Sequence, residues 1–173
     1  MKRMLGLAAI AAMVLGHSLS AQAGQGVSFS VGQTGESTMV YRLGVQSDWD
    51  KTWWQSNLGH LTGYWDGAYT YWEGDEHSGN NSLSFAPVFV YEFGNGSVKP
   101  FIEAGIGVSV FSQTQIEGNK LGSAFNFEDR LGLGVRFGGG HEVSVRAIHY
   151  SNAGIKEPND GIEAYSLNYR MPI

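Results

Sequence analysis

The chain has 173 residues, with 16 acidic against 11 basic side chains, a formal net charge of −5, no cysteine, 25 glycines, and 9 Phe, 8 Tyr and 5 Trp. Without cysteine there is no disulfide scaffold, no Cys-ligated zinc and no thiol nucleophile, and without a block of Lys or Arg nucleic acid is excluded as the main partner. The mean hydropathy of −0.17 reads as soluble, but glycine and aromatics together are also the average of a membrane β-barrel, in which oily and polar faces cancel.

The first segment is an address. Lys2 and Arg3 precede an apolar stretch from Met4 to Leu15, and Ala21-Gln22-Ala23 supplies a small-x-small cleavage pattern. A signal peptide is expected over residues 1–23 and a barrel domain over 24–173, with the mature chain exported and its net charge more negative. No apolar run of about 20 residues follows that could serve as a stop-transfer helix, and Ala23 is not followed by a lipoprotein cysteine.

From there, apolar residues recur at every second position in eight segments. Val27, Phe29 and Val31 open the series, followed by Met39, Tyr41, Leu43 and Val45. The third segment runs through Leu61, Trp65, Tyr69 and Tyr71, and the fourth through Leu83, Phe85, Phe89, Tyr91 and Phe93. Ile102, Ala104, Ile106, Val108 and Val110 form the fifth, Leu131, Leu133, Val135 and Phe137 the sixth, Val143, Val145 and Ala147 the seventh, and Tyr165, Leu167, Tyr169 and Met171 the last. The alternate positions carry polar and charged residues, among them Arg42, Asp66, Glu92, Glu103, Arg130, Arg136, Glu142 and Arg146.

Two barrels fit this pattern. A lipocalin-like carrier would turn the apolar face inward, whereas an outer-membrane barrel turns it to lipid and fills its lumen with mutually neutralising Arg and Glu. Strand length, a glycine- and serine-rich polar face, and aromatics near strand ends (Trp49, Trp53, Trp54, Trp72, Tyr91 and Phe93) favour the second. The expected fold is therefore all-β, an eight-stranded antiparallel transmembrane β-barrel. Tight turns at Asn95-Gly96-Ser97 and Gly138-Gly139-Gly140 belong to the periplasmic side, and longer segments near Glu73–Asn80, Ser112–Lys120 and Gly154–Asp160 to the outside. The stretch from Asp48 to Asn57 is long for a periplasmic turn and reads as a Trp-rich interfacial segment with room for a short helix.

The alternation breaks in one place. The lipid-face parity of Val143, Val145 and Ala147 continues to His149 and Ser151, and Glu163 shares the parity of Tyr165 and Leu167. Ionisable groups facing lipid are costly. His149 and Ser151 are i and i+2, about 7 Å apart at Cα, and a hairpin register pairing 153 with 159 also pairs His149 with Glu163. That order of Ser, His and carboxylate is the arrangement of nucleophile, base and orienting acid. The plainer reading is three polar residues at a wet interface. A hydrolase site at this level would meet lipopolysaccharide.

The run Ala147-Ile148-His149-Tyr150-Ser151-Asn152-Ala153-Gly154, followed by Glu163, resembles the PagL family, the lipid A 3-O-deacylases of Gram-negative outer membranes. The likeness extends over the mature chain in length, strand number and leader. It implies hydrolysis of the ester-linked acyl chain at position 3 of lipid A, without metal or cofactor, by Ser151 as nucleophile, His149 as base and Glu163 as its partner. It also implies an oxyanion role for Asn152, with the backbone N–H of Gly154, although parity turns Asn152 inward. Partners would be lipopolysaccharide of the outer leaflet, with a homodimer left open by the sequence.

Asp75-Glu76-His77 reads either as a solvated loop or as ligands for a cation bridging lipopolysaccharide phosphates. The Gly105-Ile-Gly107 and Gly132-Leu-Gly134 motifs lie within strand alternation and are not phosphate loops. His60 and His141 fall at strand starts, near the interface. A filled lumen argues against a pore. The rivals to an esterase are a non-enzymatic structural or adhesive barrel, and a lipid A acyltransferase with its acceptor pocket inside the barrel.

Overall fold

A computed structural model of the protein describes residues 24–173, so the signal peptide expected over 1–23 lies outside the described residues. Ten strands follow in order: β1 (Gln25–Thr34), β2 (Met39–Asp48), β3 (Gly59–Trp72), β4 (Asn80–Phe93), β5 (Lys99–Phe111), β6 (Gln115–Ile116), β7 (Asn119–Lys120), β8 (Phe125–Phe137), β9 (His141–Ser151) and β10 (Ile162–Pro172). Eight of them close a barrel in the order β1-β10-β9-β8-β5-β4-β3-β2, and β6 pairs only with β7. Closure of the barrel leaves no unpaired edge for lipid to meet.

Parity assigns the two faces as the alternation predicts. Phe29, Val45, Leu83, Ile102, Leu131, Val145 and Leu167 are exposed on the outside, while Ser30, Arg42, Asp66, Glu103, Arg130, Glu142 and Arg146 are buried inside. In the middle of the lumen Arg42 pairs with Asp66 at 2.8 Å and Glu128 at 3.0 Å, and Arg130 pairs with the same two carboxylates at 2.6 Å each. Tyr64 donates to Glu103 at 2.7 Å, and Arg146 meets the same carboxylate. Towards the end that carries both termini, Arg136 bridges Glu92 and Glu142 at 2.7 Å each, and Arg170 bridges Glu142 and Asp48. Charges removed from water are tolerable only when paired and hydrogen-bonded in this way.

The other end is sealed by apolar packing. Trp72, Phe111, Ile116, Leu121, Tyr150 and Ile162 form one buried cluster, so the β6–β7 hairpin folds over the mouth with Ile116 and Leu121 as its stopper. Trp72 therefore does not join a lipid girdle as its position near a strand end suggested. It lies inside, fully buried, with its indole N–H donating to Ser82 Oγ at 3.1 Å.

The 49–58 segment forms no helix. Trp53 and Leu61 form an isolated antiparallel bridge, and Trp49 N–H donates to the Gly63 carbonyl at 2.8 Å. The segment thus doubles back over the outer wall of β3. There the Trp49 ring lies 5.8 Å from Trp65 and 4.9 Å from Phe89, leaving Trp53, Trp54 and Leu58 exposed.

Replacing Arg130 by Met leaves Asp66 and Glu128 to share Arg42 alone. The expected loss is about 3–5 kcal/mol of stability, read as a lower urea midpoint for the barrel refolded in lipid vesicles. An unchanged midpoint would show that the lumenal ion pairs do not hold the fold.

Candidate active site

β9 and β10 present the unusual side chains. Their register pairs Glu163 directly with His149, the pairing that the hairpin count predicts, and His149 Nδ1 lies 2.8 Å from Glu163 Oε1. Both side chains face outward at the end opposite the termini, with 40 % and 51 % of their surface exposed. Ser151 is the last residue of β9, on the same face and half-buried. No hydrogen bond joins Ser151 to His149 among the described residues, and Nε2 of His149 carries none either. Catalytic contacts of this type commonly tighten only with substrate in place.

Two neighbours escaped the sequence reading. Asp129 on β8 pairs with His149 from the other side and is exposed, so the imidazole sits between two carboxylate-bearing strands. Gly161 adopts φ +70°, and a Cβ there would come within 2.9 Å of His149 Cε1. A glycine is needed at this position on both counts, because an L side chain is disfavoured at that φ and would press on the ring.

The loop after Ser151 is tightly specified. Asn152 points inward and is fully buried, as parity required. Its amide donates to the carbonyls of Leu121 at 2.8 Å and Lys156 at 2.7 Å, and its backbone N–H donates to Asn159 Oδ1 at 3.0 Å. The donors of Asn152 are thus committed elsewhere, leaving the backbone N–H of Gly154 as the other expected oxyanion donor, and Asn152 ties its loop to the β6–β7 hairpin. Ala153 and Gly154 follow with φ of 54° and 76°. Ile155 N–H closes the turn onto the Asn152 carbonyl at 3.1 Å.

The remaining candidates lie apart from this cluster. His60 lies 3.7 Å from Glu92 at the terminal end. His141 stacks between Phe137 and Tyr169 and contacts the Tyr169 hydroxyl at 2.8 Å. In the β3–β4 loop, Asp75 and Glu76 direct backbone N–H groups at Glu117, at 2.7 and 3.1 Å, and these hold its carboxyl below the usual range. Asp75 and Glu76 thus use their backbone to anchor the β6–β7 hairpin, and among the described residues no group of three His, Cys, Asp or Glu is placed to hold a metal ion.

Below the imidazole the outer wall is grooved. Ala147 is flanked in register by Leu131 on β8 and Tyr165 on β10, and the next level down is Leu133, Val145 and Leu167. The cleft continues there as a second hollow of about 510 Å³.

A closed barrel with an imidazole–carboxylate pair and a serine on its lipid-facing wall, above an apolar groove, is of the class of integral outer-membrane enzymes that act on lipid. Residues 39–172 match the model of the lipid A 3-O-deacylase (PagL) family, and the chain belongs to that family. It is similar to the lipid A deacylase PagL of Pseudomonas aeruginosa, with 63% identity over 174 residues and the whole of both chains covered. Similarity to the lipid A deacylase PagL of Bordetella bronchiseptica is 37% over 103 residues, 60% of this chain and 57% of that protein. Among solved structures, the crystal structure of the outer membrane enzyme PagL superposes with a TM-score of 0.83 at 65% identity, covering 86% of this chain and 99% of that one.

Gly161→Ala should displace the imidazole by a fraction of an ångström to an ångström and lower ester turnover roughly 100-fold, with the heat-modifiable migration of the folded barrel retained. Full turnover in that variant would show that the ring does not depend on the close approach of residue 161.

Proposed function

We propose that this outer-membrane protein removes the acyl chain ester-linked at position 3 of lipid A, with Ser151, His149 and Glu163 as its catalytic triad. The 2.8 Å contact between His149 Nδ1 and Glu163 on the lipid-facing wall carries the reading. Deacylase activity follows from family membership; the allocation of roles rests on geometry. With the termini periplasmic, the triad lies at the outer-leaflet end, level with the sugar esters of lipopolysaccharide.

Glu163 accepts the Nδ1–H of His149, which leaves Nε2 as the lone-pair nitrogen available to Ser151. Nε2 takes the Ser151 proton as Oγ attacks the ester carbonyl. The tetrahedral oxyanion is received by the backbone N–H of Gly154, with that of Ala153 beside it; two successive left-handed residues turn these groups out of the strand. Collapse expels the sugar alkoxide, which takes the proton back from the imidazolium. Water, activated by the same imidazole, then releases the fatty acid from Ser151. Asp129 adds a second negative charge beside the imidazolium. The chain being cut lies in the groove over Ala147. Every triad residue comes from one chain, so a homodimer would add no group to the reaction.

Ser151→Ala should leave lipid A at full acylation in cells, seen by mass spectrometry as loss of the 3-deacylated species. Glu163→Ala should retain a residue of activity, lowered by about 10²–10⁴ in kcat. An unchanged product pattern in Ser151→Ala would sink the triad. A heavier lipid A with the wild type would favour acyl transfer, and an unmodified one a structural barrel.

A further inference from the structure

The groove beneath the triad has a twin. On the lipid face, one register row crosses five strands: Phe89 on β4, Ala104 on β5, Leu131 on β8, Ala147 on β9 and Tyr165 on β10. The sizes alternate large, small, large, small, large. Ala104 and Ala147 therefore mark two parallel notches, two strand spacings or about 10 Å apart, with Leu131 as the ridge between them. A single continuous cleft of about 620 Å³ includes both notches together with His149 and Glu163.

The backbone is irregular beside the second notch. The β4–β5 ladder pairs Phe85 with Val108 and resumes at Val88 with Gly105, skipping Ala86 and Pro87. Proline has no N–H to donate to the ladder. Gly105 has lumenal parity, and there a Cβ would come within 2.7 Å of the Pro87 carbonyl, so glycine lets the two backbones close up from the inside while Pro87 faces the notch. The row above supplies only Pro87 and Ile106 on this side, while on the other it supplies His149 and Glu163. One notch has a reacting group at its head and the other has none.

We propose that the Ala104 notch seats a second acyl chain of the same substrate molecule, the chain amide-linked to the sugar carbon next to the ester being cut. This rests on the deacylase reading above and extends it: the enzyme recognises a pair of chains straddling Leu131, and hydrolyses the one below His149. The occupant is fixed by continuity. The notch opens into the catalytic cleft and shares its central ridge, and a sugar held with its ester at Ser151 carries its neighbouring chain within reach of β5. Binding energy gained along the uncut chain serves to position the ester, as remote contacts do in catalysis.

The test compares two synthetic glucosamine phosphates, one with long chains at both positions and one with an acetyl group in place of the amide-linked chain. Wild-type enzyme in mixed micelles should prefer the two-chain substrate in kcat/KM. Ala104→Phe, which fills the second notch, should lower that preference about tenfold. Ala147→Leu, which fills the first, should lower kcat/KM for both substrates and leave their ratio unchanged. As an independent readout, Ser151→Ala incubated with a substrate carrying a diazirine on the amide-linked chain should be labelled on β4 or β5 near Phe89 and Ala104. An unaltered ratio in Ala104→Phe, or labelling confined to β9 and β10, overturns the second subsite while leaving the triad intact. Failure of the wild type to cleave either compound overturns the esterase reading and this one with it.

Discussion

Each side chain of a closed eight-stranded barrel has two destinations, a narrow lumen or the lipid. Everything else in the molecule follows from this two-way choice. Lumenal positions receive side chains that must neutralise one another, because no water is there in bulk to solvate them. Lipid-facing positions receive apolar chains, and a polar group found there stands out. The catalytic candidates are conspicuous because the constraint is otherwise so well obeyed: His149 and Ser151 continue the face of Val145 and Ala147, and Glu163 that of Tyr165 and Leu167.

The lumen and the wall are complementary in function. Arg42, Asp66, Glu128 and Arg130 form a buried block spanning β2, β3 and β8, in which removing one partner would strand a charge in the lumen. The site itself lies on the outside, on residues that contribute little to that block. Reactive groups can therefore be presented to lipid on a scaffold whose rigidity comes from elsewhere. The loop end adds a second restraint. There Asn152 reaches from the catalytic loop to Leu121, and Lys120 and Asp160 exchange two further hydrogen bonds, so the β6–β7 hairpin both closes the mouth and braces the residues after Ser151.

The barrel was legible because its signal has period 2 and recurs eight times, and the pairing of His149 with Glu163 was legible because hairpin register is a matter of counting. Asp129 was within reach of the same rule, since it shares the parity of Leu131 and Leu133; it went unread because it lies before the apolar run of its strand. Gly161 carries no sequence signal for closeness to a ring twelve positions back in the chain. Trp72 was misplaced for a related reason. Its even-numbered position assigns it to the lumen with Asp66 and Thr70, and only its chemistry suggested the belt. The hydrogen bonds of Asn152 run to loop carbonyls, and loops have no period to count. The 49–58 segment became a strap along the wall because Trp49 finds Trp65 and Phe89 there, a tertiary contact that local propensity does not encode.

That strap has a consequence for the whole body of the enzyme. In the strand order, β3, which carries it, lies four places from β9, which carries Ser151, so the two are diametrically opposed. They also lie at opposite ends. Indole rings seek the headgroup boundary, which moors one corner of the barrel to a fixed depth. The diagonal corner, where the serine stands, then rises or sinks with the tilt that a bilayer of given thickness imposes. Membrane thickness becomes a variable in the reaction, setting how deep in the leaflet an ester must lie to be reached.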